Sequence, residues 1–167
     1  MPPSQTADPH LKLLSRGELI RRREVWRRQG QRVVFTNGCF DLLHRGHVDC
    51  LESARRCGDI LVVGLNDDDS IRQLKGPGRP LQPLDDRIAM LGALSCVCWL
   101  TVFSELSVES LVRQLLPDVL VKGGDYARAD VVGADVVEEA GGRVVVSGHV
   151  EGTSTSELLK LLQLILL

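Results

Sequence analysis

Residues 33–47 read as an apolar strand that runs through a short loop into a helix. The segment from Val33 to Phe35 is rich in β-branched and aromatic residues, and an Asn-Gly pair bounds it, which is typical of a buried strand. The following helix is indicated by apolar residues at every third position, Val48, Leu51 and Ala54. This strand–loop–helix order is the repeating unit of a parallel α/β sheet, and it restricts the folds open to the chain.

The same alternation continues along the chain. Five apolar runs of strand length begin near Val33, Asp59, Cys96, Asp118 and Arg143. The pattern predicts an α/β fold: a Rossmann-like, doubly wound, five-stranded parallel sheet with helices on both faces. We expect residues 31–167 to form this domain, after an N-terminal extension, residues 1–30, with one helix that a capping box starts near residue 16. Neither the dinucleotide fingerprint nor a Walker loop occurs, which disfavours a dehydrogenase and a P-loop kinase.

Two of the four histidines, His44 and His47, lie where the first strand meets its helix, with Gly46 between them. A helix N-terminus offers free N–H groups and a positive dipole end to an anion, and two imidazoles add further donors. A pair of ordinary surface or core histidines is the alternative. Their joint position behind Gly38-x-Phe40-Asp41 favours a polyphosphate site.

Cationic side chains follow in a second loop. Lys75 and Arg79 lie in a segment rich in Gly and Pro that suits closure over phosphates, although a plain surface linker fits equally well. Arg87 falls in the first turn of the next helix, where a cation is unfavourable. That position indicates either a phosphate partner or an ion pair with a nearby Asp. Asn66, at the end of the second strand, is a candidate ligand contact.

Two further segments follow later strands. The fourth predicted strand ends in Lys122, Gly123, Gly124 and Asp125, and the ends of parallel strands converge on ligands. A helix is expected over residues 130–140. A last helix is expected after a second capping box, and the hydroxyls at its start either cap it or bind phosphate: Ser154, Thr155 and Ser156.

Charge and cysteine content narrow the functional class. A net charge of −2 argues against a general nucleic-acid binder. The five cysteines include no Cys-x-x-Cys pair, and their number is odd, so a zinc site or a disulfide framework is disfavoured. Reduced thiols in a cytoplasmic protein are the simplest interpretation. Cys39 is interpreted as a packing residue, not a nucleophile. The sequence shows no signal peptide and no apolar run long enough to span a bilayer, so no membrane association is expected.

The run Gly38-x-Phe40-Asp41-x-x-His44-x-Gly46-His47 resembles the signature of the cytidylyltransferase-like nucleotidyltransferases, the HxGH type. The runs at 37–41 and 121–126 are similar to those of the adenylyltransferase domain that makes ADP-heptose from a heptose 1-phosphate. That domain is often fused behind a sugar kinase. In related glycerol-3-phosphate cytidylyltransferases an Arg precedes the last helix, and here His149 replaces it.

The resemblance implies transfer of AMP from ATP to a heptose 1-phosphate, with Mg²⁺ bridging the phosphates. It implies four catalytic residues, His44, His47, Lys75 and Arg87. It implies a nucleotide-binding set of Asn37, Gly38, Cys39, Phe40, Gly46, Lys122, Gly123, Gly124, Asp125, Ser154, Thr155 and Ser156. The sugar phosphate would be bound by Asp41, Asn66 and Arg79. A homodimer and a separate sugar kinase in the same pathway are also implied.

Two other functions fit the sequence. The first is a cytidylyltransferase that acts on glycerol 3-phosphate or a related alcohol phosphate. The second is a non-catalytic nucleotide-binding regulator on the same fold, since a fold does not fix a function. A panel of nucleotides separates the first alternative from the adenylyltransferase, and both histidines being present argues against the second.

Overall fold

The computed structural model describes residues 8–124, 127–147, 158–159 and 164. Within them, five strands form one sheet: β1 Val33–Gly38, β2 Ile60–Asn66, β3 Trp99–Phe103, β4 Val119–Gly123 and β5 Arg143–Ser147. Six α-helices alternate with the strands: α1 Arg16–Arg28, α2 Arg45–Arg55, α3 Asp68–Lys75, α4 Leu84–Ala93, α5 Glu109–Leu115 and α6 Ala134–Glu139. Every strand pairing is parallel, and the order is β3-β2-β1-β4-β5. The predicted α/β, Rossmann-like parallel sheet is confirmed.

The strand order places β1 at the centre of the sheet. The chain first moves outward through β2 and β3, and then crosses β1 to add β4 and β5 on the other side. The order of the strands therefore reverses between β1 and β4. In open parallel sheets this reversal leaves a crevice at the carboxyl ends of the strands, where ligands bind.

The core fills both faces of the sheet. One cluster combines Phe35 and Leu120 with residues of α1, α5 and α6, including Leu19 and Leu111. The other combines side chains of the opposite face with α2 and α4, including Leu51 and Leu91. Because both faces of the central strands are covered, β2 is buried along its whole length, which explains its uninterrupted apolar sequence.

The N-terminal segment covers the edge strand β3. The backbone N–H of Leu14 donates to the carbonyl of Leu100 at 2.8 Å. Farther along, the Trp26 ring stacks near the Trp99 ring with centroids 6.3 Å apart, and the Arg22 guanidinium lies 4.3 Å above Trp99. The predicted capping box at the start of α1 is present, with Ser15 and Glu18 bonded to each other's backbone N–H. This packing protects an otherwise open sheet edge.

Two boundaries differ from those predicted. Strand β3 begins at Trp99, three residues after the predicted start at Cys96. The helix expected over residues 130–140 is shorter, because α6 begins only at Ala134, after a separate 3₁₀ turn over Arg128–Asp130. Gly133 has a φ of +88°, which no helix accommodates, so it separates the turn from α6. The start of the predicted last helix lies outside the described residues.

Replacing Gly92 in α4 with alanine is expected to lower the free energy of unfolding by about 1–3 kcal/mol. A Cβ at Gly92 would lie 2.6 Å from the backbone oxygen of Pro9, so the N-terminal segment would be displaced. Gly17 in α1 is the matched control, since its added Cβ would meet nothing closer than 3.5 Å. Gly17→Ala should raise stability by up to about 1 kcal/mol. Chemical denaturation measures both, and equal effects would contradict the account.

Candidate active site

The strand–loop–helix corner brings the two histidines to the N-terminus of α2. His44 is the residue before the helix, with extended backbone angles, and its carbonyl accepts from the N–H of His47 at 2.9 Å. One helical turn therefore separates the two residues, which places their rings side by side. The ring centroids lie 3.8 Å apart with an interplanar angle of 27°. The corner thus presents two stacked imidazoles at the positive end of a helix dipole.

His47 is held in a partly buried position. The ring of Phe40 lies against it, with centroids 5.1 Å apart. Burial, with smaller contributions from the positive charges of His44 and Lys75, lowers the pKa of His47 to about 4. At neutral pH the imidazole is therefore uncharged and carries one N–H. A neutral imidazole has one donor nitrogen and one acceptor nitrogen.

The loop between β1 and α2 is fixed by Asp41, whose side chain is only 2% exposed. Its Oδ1 accepts from the backbone N–H groups of Leu81 and Gln82 at 2.8 and 3.0 Å. Its Oδ2 pairs with the Arg79 guanidinium at 3.1 Å. Asp41 and Arg79 were expected to bind the sugar phosphate. In the structure the two side chains hold each other and join the loop before α4 to the corner, and their contact with a sugar phosphate stays a prediction.

Arg87 is completely buried, with an exposed fraction of 0%. Its Nη1 donates to the carbonyls of Cys39 and Asn66 at 2.7 and 2.8 Å, and its Nε donates to the carbonyl of Gln82 at 3.2 Å. Its Nη2 pairs with Asp68 at 2.6 Å. Of the two interpretations of its place in the first turn, the ion pair is the one found. Arg87 therefore holds the loops of the site in place, and its expected catalytic contact with phosphate stays a prediction.

A cavity of about 470 Å³ opens at the carboxyl ends of β1 to β4. Six of the predicted site residues line it: Asn37, Gly38, Cys39, Asn66, Lys75 and Lys122. Burial lowers the pKa of Lys122, which is half-buried. Asn66 is nearly covered, and its amide donates to Ser70 at 3.3 Å. The ends of β1, β2 and β4 and the last residue of α3 thus bring two amides and two ammonium groups around one space.

The remaining predicted residues fall into two groups. Gly46 lies in the first turn of α2, and Gly123 lies so close to this helix that a Cβ would be 2.7 Å from Cys50 Sγ. Gly124 has a φ of +102° and donates its N–H to Ser147. Four predicted nucleotide-binding residues lie outside the described part of the chain: Asp125, Ser154, Thr155 and Ser156.

Sequence reasoning missed part of the cavity wall. Eight more residues line it: Leu74, Phe103, Leu106, Ser107, Val108, Asp130, Val131 and Val132. Leu74 precedes Lys75 in α3, and the other seven belong to the end of β3, the loop that follows it, and the segment that begins with the 3₁₀ turn before α6. The available signal was the position of Phe103 at the carboxyl end of a strand, where ligand contacts gather.

The described residues contain neither a membrane-spanning helix nor a cluster of metal-binding side chains. Among them, no helix combines the length and the apolar character needed to cross a bilayer. The same residues contain no group of three or more His, Cys, Asp or Glu side chains placed to hold a metal ion.

The sequence profile of the cytidylyltransferase-like family matches residues 35–160, about three quarters of the chain. This chain belongs to the cytidylyltransferase-like family. The matched region includes the histidine corner, both lysines of the cavity, most of β1 and the strands β2 to β5. The chain is therefore a nucleotidyltransferase, as the resemblance in its sequence predicted.

Curated relatives include the bifunctional protein HldE of Ectopseudomonas mendocina, 51% identical over 148 residues, and that of Syntrophotalea carbinolica, 56% identical over 137 residues. The matches cover 89% and 82% of this chain but 31% and 28% of those proteins. The chain therefore spans less than a third of the length of the curated relatives it matches.

Solved structures share the fold. The lipopolysaccharide core biosynthesis protein of Thermoplasma volcanium GSS1 superposes with a TM-score of 0.60 at 25% identity, covering 72% of this chain and 98% of that one. The pantoate-beta-alanine ligase of Francisella tularensis superposes with a TM-score of 0.59 at 14% identity, covering 81% and 66% of the two chains. The second likeness shows the shared fold alone.

Replacing Arg87 with glutamine is expected to lower the free energy of unfolding by about 3–5 kcal/mol, because it leaves Asp68 and three carbonyls without their buried partner. Arg113→Gln is the matched control, since Arg113 makes an exposed pair with Glu109 one turn away. The control substitution should lower the free energy of unfolding by less than about 0.5 kcal/mol. Thermal or urea denaturation compares them, and a similar loss in both variants would refute the structural role of Arg87.

Proposed function

We propose that this chain is an adenylyltransferase that transfers AMP from ATP to a heptose 1-phosphate and releases pyrophosphate. The observation that carries the proposal is the pair of stacked imidazoles, His44 and His47, at the N-terminus of α2. Imidazoles and helix N-terminal N–H groups are suited to phosphate oxygens. The choice of a heptose is supported by the runs at 37–41 and 121–126 and by the likeness to the HldE proteins.

In the proposed reaction, an oxygen of the sugar phosphate attacks the α-phosphorus of ATP. The bond from that phosphorus to the bridging oxygen breaks, and pyrophosphate leaves with the electron pair. The attacking oxygen is already anionic, so the reaction requires no general base. The protein's task is to align two anions and to stabilise the charge that develops on the phosphoryl oxygens and the leaving group.

The side chains divide this task by position. His44 and His47 would donate hydrogen bonds to phosphoryl oxygens from the N-terminus of α2. Lys75, at the last turn of α3, and Lys122, at the end of β4, would supply positive charge from the cavity side. Arg87 would act through the loops it holds.

The nucleotide would lie across the crevice between β1 and β4. We propose that its contacts come from the ends of both strands and from α2, namely Asn37, Gly38, Cys39, Phe40, Gly46, Lys122, Gly123 and Gly124. Asp125, Ser154, Thr155 and Ser156 are proposed from the sequence resemblance. Asn66, which lines the cavity on the β2 side, remains a proposed contact to the sugar phosphate.

We propose Mg²⁺ as the cofactor. The ammonium groups of Lys75 and Lys122 repel a cation, so the phosphate oxygens of ATP would be its main ligands. Mg²⁺ bound in this way would supply positive charge to the phosphates and to the leaving pyrophosphate. The chain's own residues would hold the phosphates that carry it.

The cellular context follows from the same resemblance. We propose that the protein works in the cytoplasm, where ATP is available, and that it forms a homodimer. The heptose 1-phosphate would be supplied by a sugar kinase of the same pathway.

The reaction is tested by measuring pyrophosphate release with Mg²⁺ and each nucleoside triphosphate, against a heptose 1-phosphate and against glycerol 3-phosphate. Release is expected with ATP and the heptose phosphate. Replacing His47 with alanine should lower kcat by about 10²–10³, because it removes a donor to the reacting phosphate. Replacing the exposed His10 should leave kcat unchanged. Release only with CTP and glycerol 3-phosphate would overturn the proposal in favour of a cytidylyltransferase, and nucleotide binding without any turnover would favour a regulator.

Nucleotide binding is expected to take up protons in mildly acidic solution. The pKa of His47 is about 4 in the free protein, and a phosphate beside the ring would raise it by favouring the charged imidazole. Between pH 4 and the ordinary value of 6.5, the complex would therefore hold more protons than the free protein, so affinity should rise as pH falls.

Calorimetry in two buffers of different ionisation enthalpy measures this uptake. His47→Asn is the control, because protons bound by ATP itself are common to both proteins. Equal proton uptake by wild type and His47→Asn would show that His47 does not contact the phosphates.

A further inference from the structure

We propose that Asp130 recognises the hydroxyl groups of the acceptor sugar and thereby sets which sugar phosphates the enzyme accepts. The inference rests on the proposed function, and it concerns the end of the 470 Å³ cavity formed by the β3–α5 loop and the 3₁₀ turn. That volume lies within the range of small-molecule sites. The argument starts from how charge is distributed around the cavity.

The cavity is lined by two ammonium groups, two side-chain amides and one carboxylate. Lys75 and Lys122 come from the ends of α3 and β4, together with the amides of Asn37 and Asn66 at the ends of β1 and β2. Asp130 is the only acid among the described residues that line the cavity. A carboxylate repels phosphate, so the phosphate of an acceptor would lie toward the lysines and its uncharged part toward Asp130.

Asp130 is exposed and borders both this cavity and the neighbouring one, which Glu109 and Arg113 also line. Among the described residues it makes no ion pair, and its turn is closed by its backbone N–H, which donates to Ala127 at 2.9 Å. The two arginines beside it are neutralised by other acids. Arg128 pairs with Glu138, and Arg113, across the turn in a neighbouring cavity, pairs with Glu109. An exposed carboxylate in this setting accepts hydrogen bonds from hydroxyls, and such charge-assisted bonds are stronger than neutral ones.

The rest of this end of the cavity is apolar. Phe103, Val108 and Val131 are buried and form its base. Leu74, Leu106 and Val132 also line it, yet they are 50%, 55% and 48% exposed. Apolar side chains from three separate segments at one cavity gain stability when a ligand covers them. A sugar ring fits this surface, because it has apolar C–H faces between its hydroxyls.

The test compares steady-state kinetics of Asp130→Asn with those of wild type, using the heptose 1-phosphate and ATP. The KM for the sugar phosphate should rise about tenfold or more, since a charge-assisted hydrogen bond is lost. The KM for ATP should be unchanged. Asp135→Asn is the matched control, because Asp135 is exposed, lies five residues away and lines only the neighbouring cavity. Asp130→Glu should recover part of the affinity.

An acceptor lacking single hydroxyl groups sharpens the test. If Asp130 binds one of these hydroxyl groups, the acceptor that lacks that hydroxyl group should have the same KM with the wild-type protein and with Asp130→Asn. An unchanged KM for the full sugar phosphate in Asp130→Asn would overturn the inference. Turnover of the heptose phosphate by the wild-type protein checks the proposed function separately, because that result does not depend on Asp130.

Discussion

The buried guanidinium of Arg87 is the interaction on which the arrangement of the site depends. Its hydrogen bonds reach the carbonyls of Cys39 and Asn66, at the ends of β1 and β2, and the carbonyl of Gln82 before α4. An ion pair with Asp68 offsets the cost of burying its charge. Backbone carbonyls at strand ends have no partner within the sheet, so a single planar donor group with several N–H groups can fix three segments at once. The loops around the cavity are therefore held by the core and not by their own contacts.

The charged and hydrogen-bonding side chains of the site fall into two groups, those that hold loops in place and those that border the space for substrates. Asp41 and Arg79 face each other and hold the loop before α4. His44 and His47 stack at the helix N-terminus, and Lys75 and Lys122 border the adjoining cavity. The groups of the second kind are all donors or cations, as phosphate chemistry requires. Donors that are held rigidly can stabilise the charge of the transition state without having to move during the reaction.

The sequence predicts the parts of the structure that have strong local signals. Apolar runs gave the strands, and the Gly-x-Phe-Asp…His-x-Gly-His run gave the corner, because strand, turn and helix start each need particular residue types. The partner that a charged side chain finds in the folded chain has no such local signal. Arg87 and Asp41 were therefore interpreted as substrate contacts, because the groups that they bind in the structure lie far away in sequence. Leu106, Asp130 and Val132 were missed for a related reason, since loops that meet only through the sheet topology share no local pattern.

The central claim is that the α-phosphate of the nucleotide lies at the histidine corner of α2. A crystal structure with the non-hydrolysable analogue α,β-methylene-ATP measures this directly. The account predicts phosphate oxygens within hydrogen-bonding distance of the His44 and His47 imidazoles, with the part of the cavity beside Asp130 left open for the acceptor. An analogue bound in the neighbouring cavity lined by Glu109 and Arg113, with the two imidazoles free of phosphate, would contradict it.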